Sequence, residues 1–276
     1  MPGLPQPSDK AARLIAGGAS LVASSVLADA GIEHYRGSFE NRAMVLPLAG
    51  SALSILTDTR LALGARASGG TGALAMSVHA ANVAIGAAGL GFHVYNILKQ
   101  PGGFTFGNVF YHAPIAAPAA LMVAGTLGAT ALALGKGASR LGPVPLASGR
   151  SLAGFAAFAL AGTSAEAAVF HFRGAYHNPF MWVPVVVPPI AALALGKAAV
   201  TGTVGRITNP ALTATAVLGF AGAAFHAYGV SRNMGGWRNW RQNLIVGPPI
   251  PAPPSFTGIA IAGLGALLLM RRFARG

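Results

Sequence analysis

The sequence predicts an all-α integral membrane protein of eight transmembrane helices, two tandem four-helix repeats related by a pseudo-twofold axis along the membrane normal. Three observations predict it. The 276 residues are 53% hydrophobic and 9% charged, about a third of the charged fraction of an ordinary soluble domain. A chain so poor in charge cannot coat a soluble surface of its size. Apolar runs long enough to cross a bilayer recur along it. Two stretches of its second half repeat two stretches of its first.

The apolar runs fall near 11–35, 43–63, 72–98, 112–135, 150–172, 180–202, 207–230 and 254–271. Each is close to the roughly 20 residues a spanning helix needs. The second is the weakest, because Asp58 and Arg60 lie near its end. Residues 1–10 form a polar, proline-punctuated tail, residues 11–138 the first repeat and residues 139–276 the second. The first run resembles a signal peptide, with basic residues followed by Ala28-Asp29-Ala30. The same segment recurs in mid-chain, where a cleaved leader has no place.

Eight runs put both termini on one side. Of the 19 Lys and Arg, 12 fall on that side and seven on the other. The positive-inside rule then sets both termini in the cytoplasm of a bacterial inner membrane. The net charge of +13 is read as topology, with no nucleic-acid partner. The absence of cysteine excludes a disulfide scaffold and a cysteine-held zinc or iron–sulfur centre. Phosphate-loop, H-E-x-x-H, G-x-S-x-G and C-x-x-C-H patterns are absent too.

The internal repeat is the strongest signal. Residues 34–47 read HYRGSFENRAMVLP and residues 171–184 read HFRGAYHNPFMWVP, an offset of 137. His34/His171, Arg36/Arg173, Gly37/Gly174, Asn41/Asn178, Met44/Met181 and Pro47/Pro184 are identical. At the same offset Asp29 meets Glu166. Residues 86–95 and 219–228, offset by 133, both fit G-x-x-G-x-x-F-H-x-Y, and Gly102-Gly103 meets Gly235-Gly236. The later prolines agree only loosely. Four spans per half make the repeat parallel, since an inverted one needs an odd number. The G-x-x-G glycines are read as close-packing positions.

His34, His93, His171 and His226 each close an odd-numbered span, so all four are expected at one membrane face, the periplasmic one, with His112 and His177. Neutral imidazole ligates haem iron and transition metals, and it hydrogen-bonds quinone head groups. The four histidines are therefore the candidate metal or haem ligands, with Arg36 and Arg173 beside them as cofactor-binding residues. Asp29 and Glu166 are the candidate catalytic or proton-relaying acids, because a carboxylate inside a span is costly and usually functional. A structural ion pair with Arg36, Arg42 or Arg173 is the competing role. Asp29 and His34 lie about 140° apart around a helix unless it unwinds near Gly31. His79 lies 14 residues before His93, about 21 Å along one helix. Its counterpart is Leu212, so it is expected to be a buried polar contact with Asn82 or a neighbour.

The expected function is that of a membrane subunit of an electron-transfer system, with a His/carboxylate cluster holding haem b, a transition metal or quinone. A periplasmic or membrane redox partner would dock on loops 99–111 and 231–252, where Lys99, Arg232, Arg238 and Arg241 steer an acidic surface. A proton- or cation-coupled transporter working through Asp29 and Glu166 is the alternative, and a scaffold or assembly factor without chemistry is the third. The eight-span plan resembles, in architecture alone, membrane subunits that carry quinol sites in bacterial redox complexes.

Overall fold

The computed structural model describes residues 7–112, 114–115 and 117–273. It is all-helical: α1 (Pro7–Arg36), α2 (Leu46–Ala62), α3 (Gly69–Leu98), α4 (Phe106–Tyr111), α5 (Ala117–Gly135), α6 (Gly149–Arg173), α7 (Val183–Thr201), α8 (Thr208–Arg232), α9 (Trp240–Val246) and α10 (Pro254–Phe273). Short 3-10 turns at Arg42–Val45 and Pro179–Trp182 lead into α2 and α7, and another at Gly236–Asn239 leads into α9. Residues 1–6 of the expected tail lie outside the described residues, and Pro7 to Lys10 already form the first turn of α1.

Among the described residues seven helices are long and apolar enough to cross a membrane: α1, α3, α5, α6, α7, α8 and α10. The 17-residue α2 is not among them. Of the expected span at 112–135, α5 covers residues 117–135, and the short α4 ends just before that span. Pro118 stands at the second position of α5, where a missing N–H costs nothing.

α1, α5 and α10 are the most enclosed spans, whereas α3, α7 and α8 turn most of their surface outward. Leu74, Phe92, Phe158, Leu193 and Phe220 are exposed on the outer helices. That arrangement suits lipid contact, since apolar side chains lose nothing against acyl tails. The core is built largely from small residues, among them Ala11, Ala19, Ala23, Ala156, Ala260 and Ala262. Gly18 of α1 and Gly258 of α10 meet where each would drive a Cβ into the other's carbonyl.

α1 packs on α2 and α5 as α6 packs on α7 and α10, and α3 packs on α5 as α8 packs on α10. At the helix ends, Arg13 Nε donates to Ala62 O at 2.9 Å and Arg150 Nε donates to Ala199 O at 2.8 Å. These bonds set α2 and α7 antiparallel to α1 and α6. One contact breaks the pattern. α1 packs closely on α10, but α6 has no comparable contact with α5. Offsets of 137 and 135 set Phe155 against Gly18 and Val123 against Gly258. Side chains of that size hold two helices apart where glycines let them touch.

Candidate functional site

The two H-x-R-G loops lock their histidines in the same way. Beyond each helix end two residues take left-handed conformations, Ser38 and Phe39 (φ 55° and 49°) and Ala175 and Tyr176 (φ 54° and 47°). The chain thereby doubles back. The Phe39 N–H reaches the His34 carbonyl at 2.9 Å, and the Tyr176 N–H reaches the His171 carbonyl at 3.2 Å. Asn41 and Asn178 then cap the next turn by accepting from the Ala43 and Phe180 N–H groups at 2.9 and 3.0 Å. That turn aims one carbonyl at each ring: His34 Nδ1 donates to Met44 O at 2.8 Å, and His171 Nδ1 to Met181 O at 2.7 Å. A Cβ at Gly174 would stand 2.7 Å from the mobile end of Met181, and one at Gly37 would stand 3.9 Å from Met44 Cε, so the methionine packs beneath the turn in both halves.

His93 and His226 are held by prolines. His93 Nδ1 donates to Pro114 O at 2.5 Å and His226 Nδ1 to Pro249 O at 2.7 Å. The G-x-x-G glycines make this possible. A Cβ at Gly86 would stand 2.8 Å from Pro118 O, and one at Gly219 would stand 2.7 Å from Pro253 O. These carbonyls went unread in the sequence because the offset changes. The glycines and histidines match at 133, but Asn108/Asn243, Pro114/Pro249 and Pro118/Pro253 match at 135. Two extra residues lie between Gly236 and Asn243. The paired asparagines pin those loops. Asn108 Nδ2 donates to Gly103 O at 2.7 Å, and Asn243 Nδ2 donates to Gly236 O at 2.8 Å.

A carbonyl can only accept, so each of the four Nδ1 atoms carries its proton. In a neutral ring that leaves Nε2 with a lone pair, the state in which imidazole ligates a metal or accepts a proton. The rings gather by half. The His171 and His226 centroids are 6.4 Å apart with planes at 70°, and His34 lies within electrostatic reach of His93. Among the described residues no three His, Asp or Glu side chains are placed to hold one metal ion. Each ring therefore has its histidine neighbour within its own half. His112 is exposed, and His177 Nδ1 turns to Gly174 O at 2.9 Å.

The acids and arginines do different work. α1 is continuous through Gly31, so Asp29 stays well around the helix from His34. The charged neighbours of Asp29 are Glu33 and Arg36. Those of Arg173 include Arg36, Glu33 and Glu166. Arg36 pairs with Glu33 at 3.2 Å and also donates to Ile245 O of α9 at 3.4 Å. Arg241 of α9 returns the contact by donating to the Tyr35 hydroxyl. Arg173 donates to Val109 O of α4 at 3.5 Å and lies over the Phe110 ring at 5.3 Å. Phe172 packs edge-on against Phe106 and Phe110. Each arginine therefore straps the short helix of the other half, a role that no local pattern in the sequence announces.

His79 is buried, and its neighbours are Ser54 and Asp58 of α2. Comparisons with protein families, with curated proteins and with solved structures found no match.

Proposed function

We propose that the chain is a multi-pass membrane subunit of an electron-transfer system, in which the His34/His93 and His171/His226 pairs hold redox groups near one membrane face. The supporting observation is the uniform anchoring of all four Nδ1 atoms on backbone carbonyls. It presents four oriented imidazoles with Nε2 available, at one end of the bundle. Two imidazoles per site fit the axial positions of a haem iron, which asks the protein for only two ligands. They fit equally a quinol head group, whose hydroxyl would donate to Nε2 and pass its proton there as its electrons leave for the redox partner protein. A bare transition metal is the less favoured occupant, since it wants three or four protein ligands.

In this reading α2 also crosses the bilayer. The Arg13 contact at the last turn of α2 supports a full return pass. The chain is then two parallel four-helix repeats in a bacterial inner membrane, with cytoplasmic termini and periplasmic histidines. A redox partner protein would dock on the periplasmic loops that contain α4 and α9.

The test is an absorption spectrum, a metal analysis and a quinone extraction on detergent-purified protein. A haem band or bound quinone at one or two equivalents, lost when His93 and His226 are both replaced by Asn, is the expected result. A colourless protein without quinone, whose solute uptake disappears in Asp29→Asn plus Glu166→Gln, would replace this reading with the transport one.

A further inference from the structure

The first half buries a polar cluster that the second half lacks. Asp58 of α2 and His79 of α3 are 0% and 1% exposed, and His79 Nε2 stands 3.3 Å from Asp58 Oδ1. Among the described residues neither carboxylate oxygen accepts a hydrogen bond. The cluster continues through Ser54 and Asn82, also buried. Asn82 Nδ2 donates to Gly50 O at 3.0 Å and to Ser54 Oγ at 2.7 Å, and Ser54 Oγ lies 3.5 Å from His79 Nδ1. Gly128 of α5 closes the site, since a Cβ there would stand 2.8 Å from Asp58 Oδ1.

The second half builds the same three-helix junction with hydrocarbon in place of the acid and the imidazole. The offsets of 137, 133 and 135 set Leu195, Leu212 and Gly263 at the positions of Asp58, His79 and Gly128. A Cβ at Gly263 would stand 3.1 Å from a methyl of each of those leucines, both fully buried. At the position of Asn82 stands Thr215, whose buried hydroxyl donates to Ala211 O within its own helix. The junction thus forms without an ionisable group, so packing alone gives no reason for an acid and an imidazole in the first half. Buried ionisable groups among spanning helices are costly and mark function.

We propose that Asp58 and His79 form a buried binding site for one exchangeable proton. The direction of the hydrogen bonds supports it. Asn82 spends one N–H on Ser54 Oγ, so the Ser54 hydroxyl hydrogen is free to point at His79 Nδ1. Nδ1 then accepts, and Nε2 carries its hydrogen toward Asp58. With a neutral imidazole, the pair is uncharged only when Asp58 itself holds a proton. Releasing it leaves a carboxylate facing Nε2–H, and no other bond is made or broken. An alkali cation is a poorer fit, because hard cations want a shell of oxygens, and imidazole supplies none.

Among the described residues no other charged group is placed to neutralise the pair. On α1, Asp9 and Lys10 lie in the first turn and Arg13 is committed to Ala62 O, while Asp29, Glu33 and His34 lie at the far end. Arg60 of α2 is exposed, and Lys136, just past α5, lies over Gly72. The other histidine of α3, His93, is 14 residues away. The proposal does not rest on the histidine pairs at the opposite end of the bundle.

The full-length protein in lipid nanodiscs would be followed by infrared spectroscopy in H2O and D2O across a pH titration, as wild type, Asp58→Asn and the Asp58→Leu/His79→Leu double variant. We expect a protonated-carboxyl band that shifts in D2O, fades as pH rises, and is missing from both variants. The double variant, which copies the second half, should fold with a Tm at or above wild type. A wild type with no exchangeable carboxyl band would overturn the proposal. So would a band that survives in the double variant, or a Tm that responds to sodium or lithium and not to pH.

Discussion

Arg173, the last residue of α6, donates a hydrogen bond to the backbone carbonyl of Val109, 64 residues earlier in the other half of the chain. Arg36 does the same for Ile245. The halves are clasped reciprocally at the histidine-bearing end. Removing either arginine should cost about 1 kcal/mol, the scale of one hydrogen bond to a charged donor on an exposed site. The location of the damage is the sharper expectation. Hydrogen exchange should rise in residues 106–111 for Arg173→Ala and in residues 240–246 for Arg36→Ala. Loosening next to the mutated residue alone would contradict the clasp.

The histidine anchors predict a separation of stability from ligand binding. In His93→Asn the amide N–H can still reach Pro114 O, but nothing replaces Nε2. His93→Ala loses both and should cost about 1 kcal/mol by leaving the half-buried Pro114 carbonyl without its partner. Thermal melts in detergent should rank wild type and Asn close together and Ala clearly lower. Neither variant should retain a redox group at that pair.

Gly18→Ala or Gly258→Ala would push a methyl into a facing backbone carbonyl at the α1–α10 crossing. Overpacking of this kind costs about 1–3 kcal/mol, because neither helix can yield without losing its neighbours. Gly162→Ala in α6 meets open space and should leave the melt unchanged. Equal effects at all three positions would mean that the crossing is not tight.

Arg13 and Arg150 cap the ends of α2 and α7 with a positive charge where helix carbonyls lack partners. Arg150 also donates to Val200 O at 2.5 Å. Alanine at either position should cost about 1 kcal/mol. Lysine should rescue only part of it, because a single ammonium cannot reproduce the two-pronged contact of Arg150. Melts of the four variants, Ala and Lys at each position, would check the order.

The sequence carried the helical membrane character, the approximate spans and the paired loop motifs, because these depend on residues close together in the chain. Hydropathy needs only a window of neighbours. A motif such as H-x-R-G-x-[FY]-x-N-x-x-M is legible because the turn it encodes closes within ten residues, from His34 Nδ1 to Met44 O. The partners of His93 and His226 were obscured by two inserted residues that broke the register between halves. What only the folded structure decided is the long-range choice of neighbour. It set His171 beside His226, sent Arg36 and Arg173 across to the opposite half, and brought Asp58 against His79. Each depends on helix packing, set by where glycines permit close approach and larger side chains forbid it, and such steric terms act between positions that chain spacing does not relate.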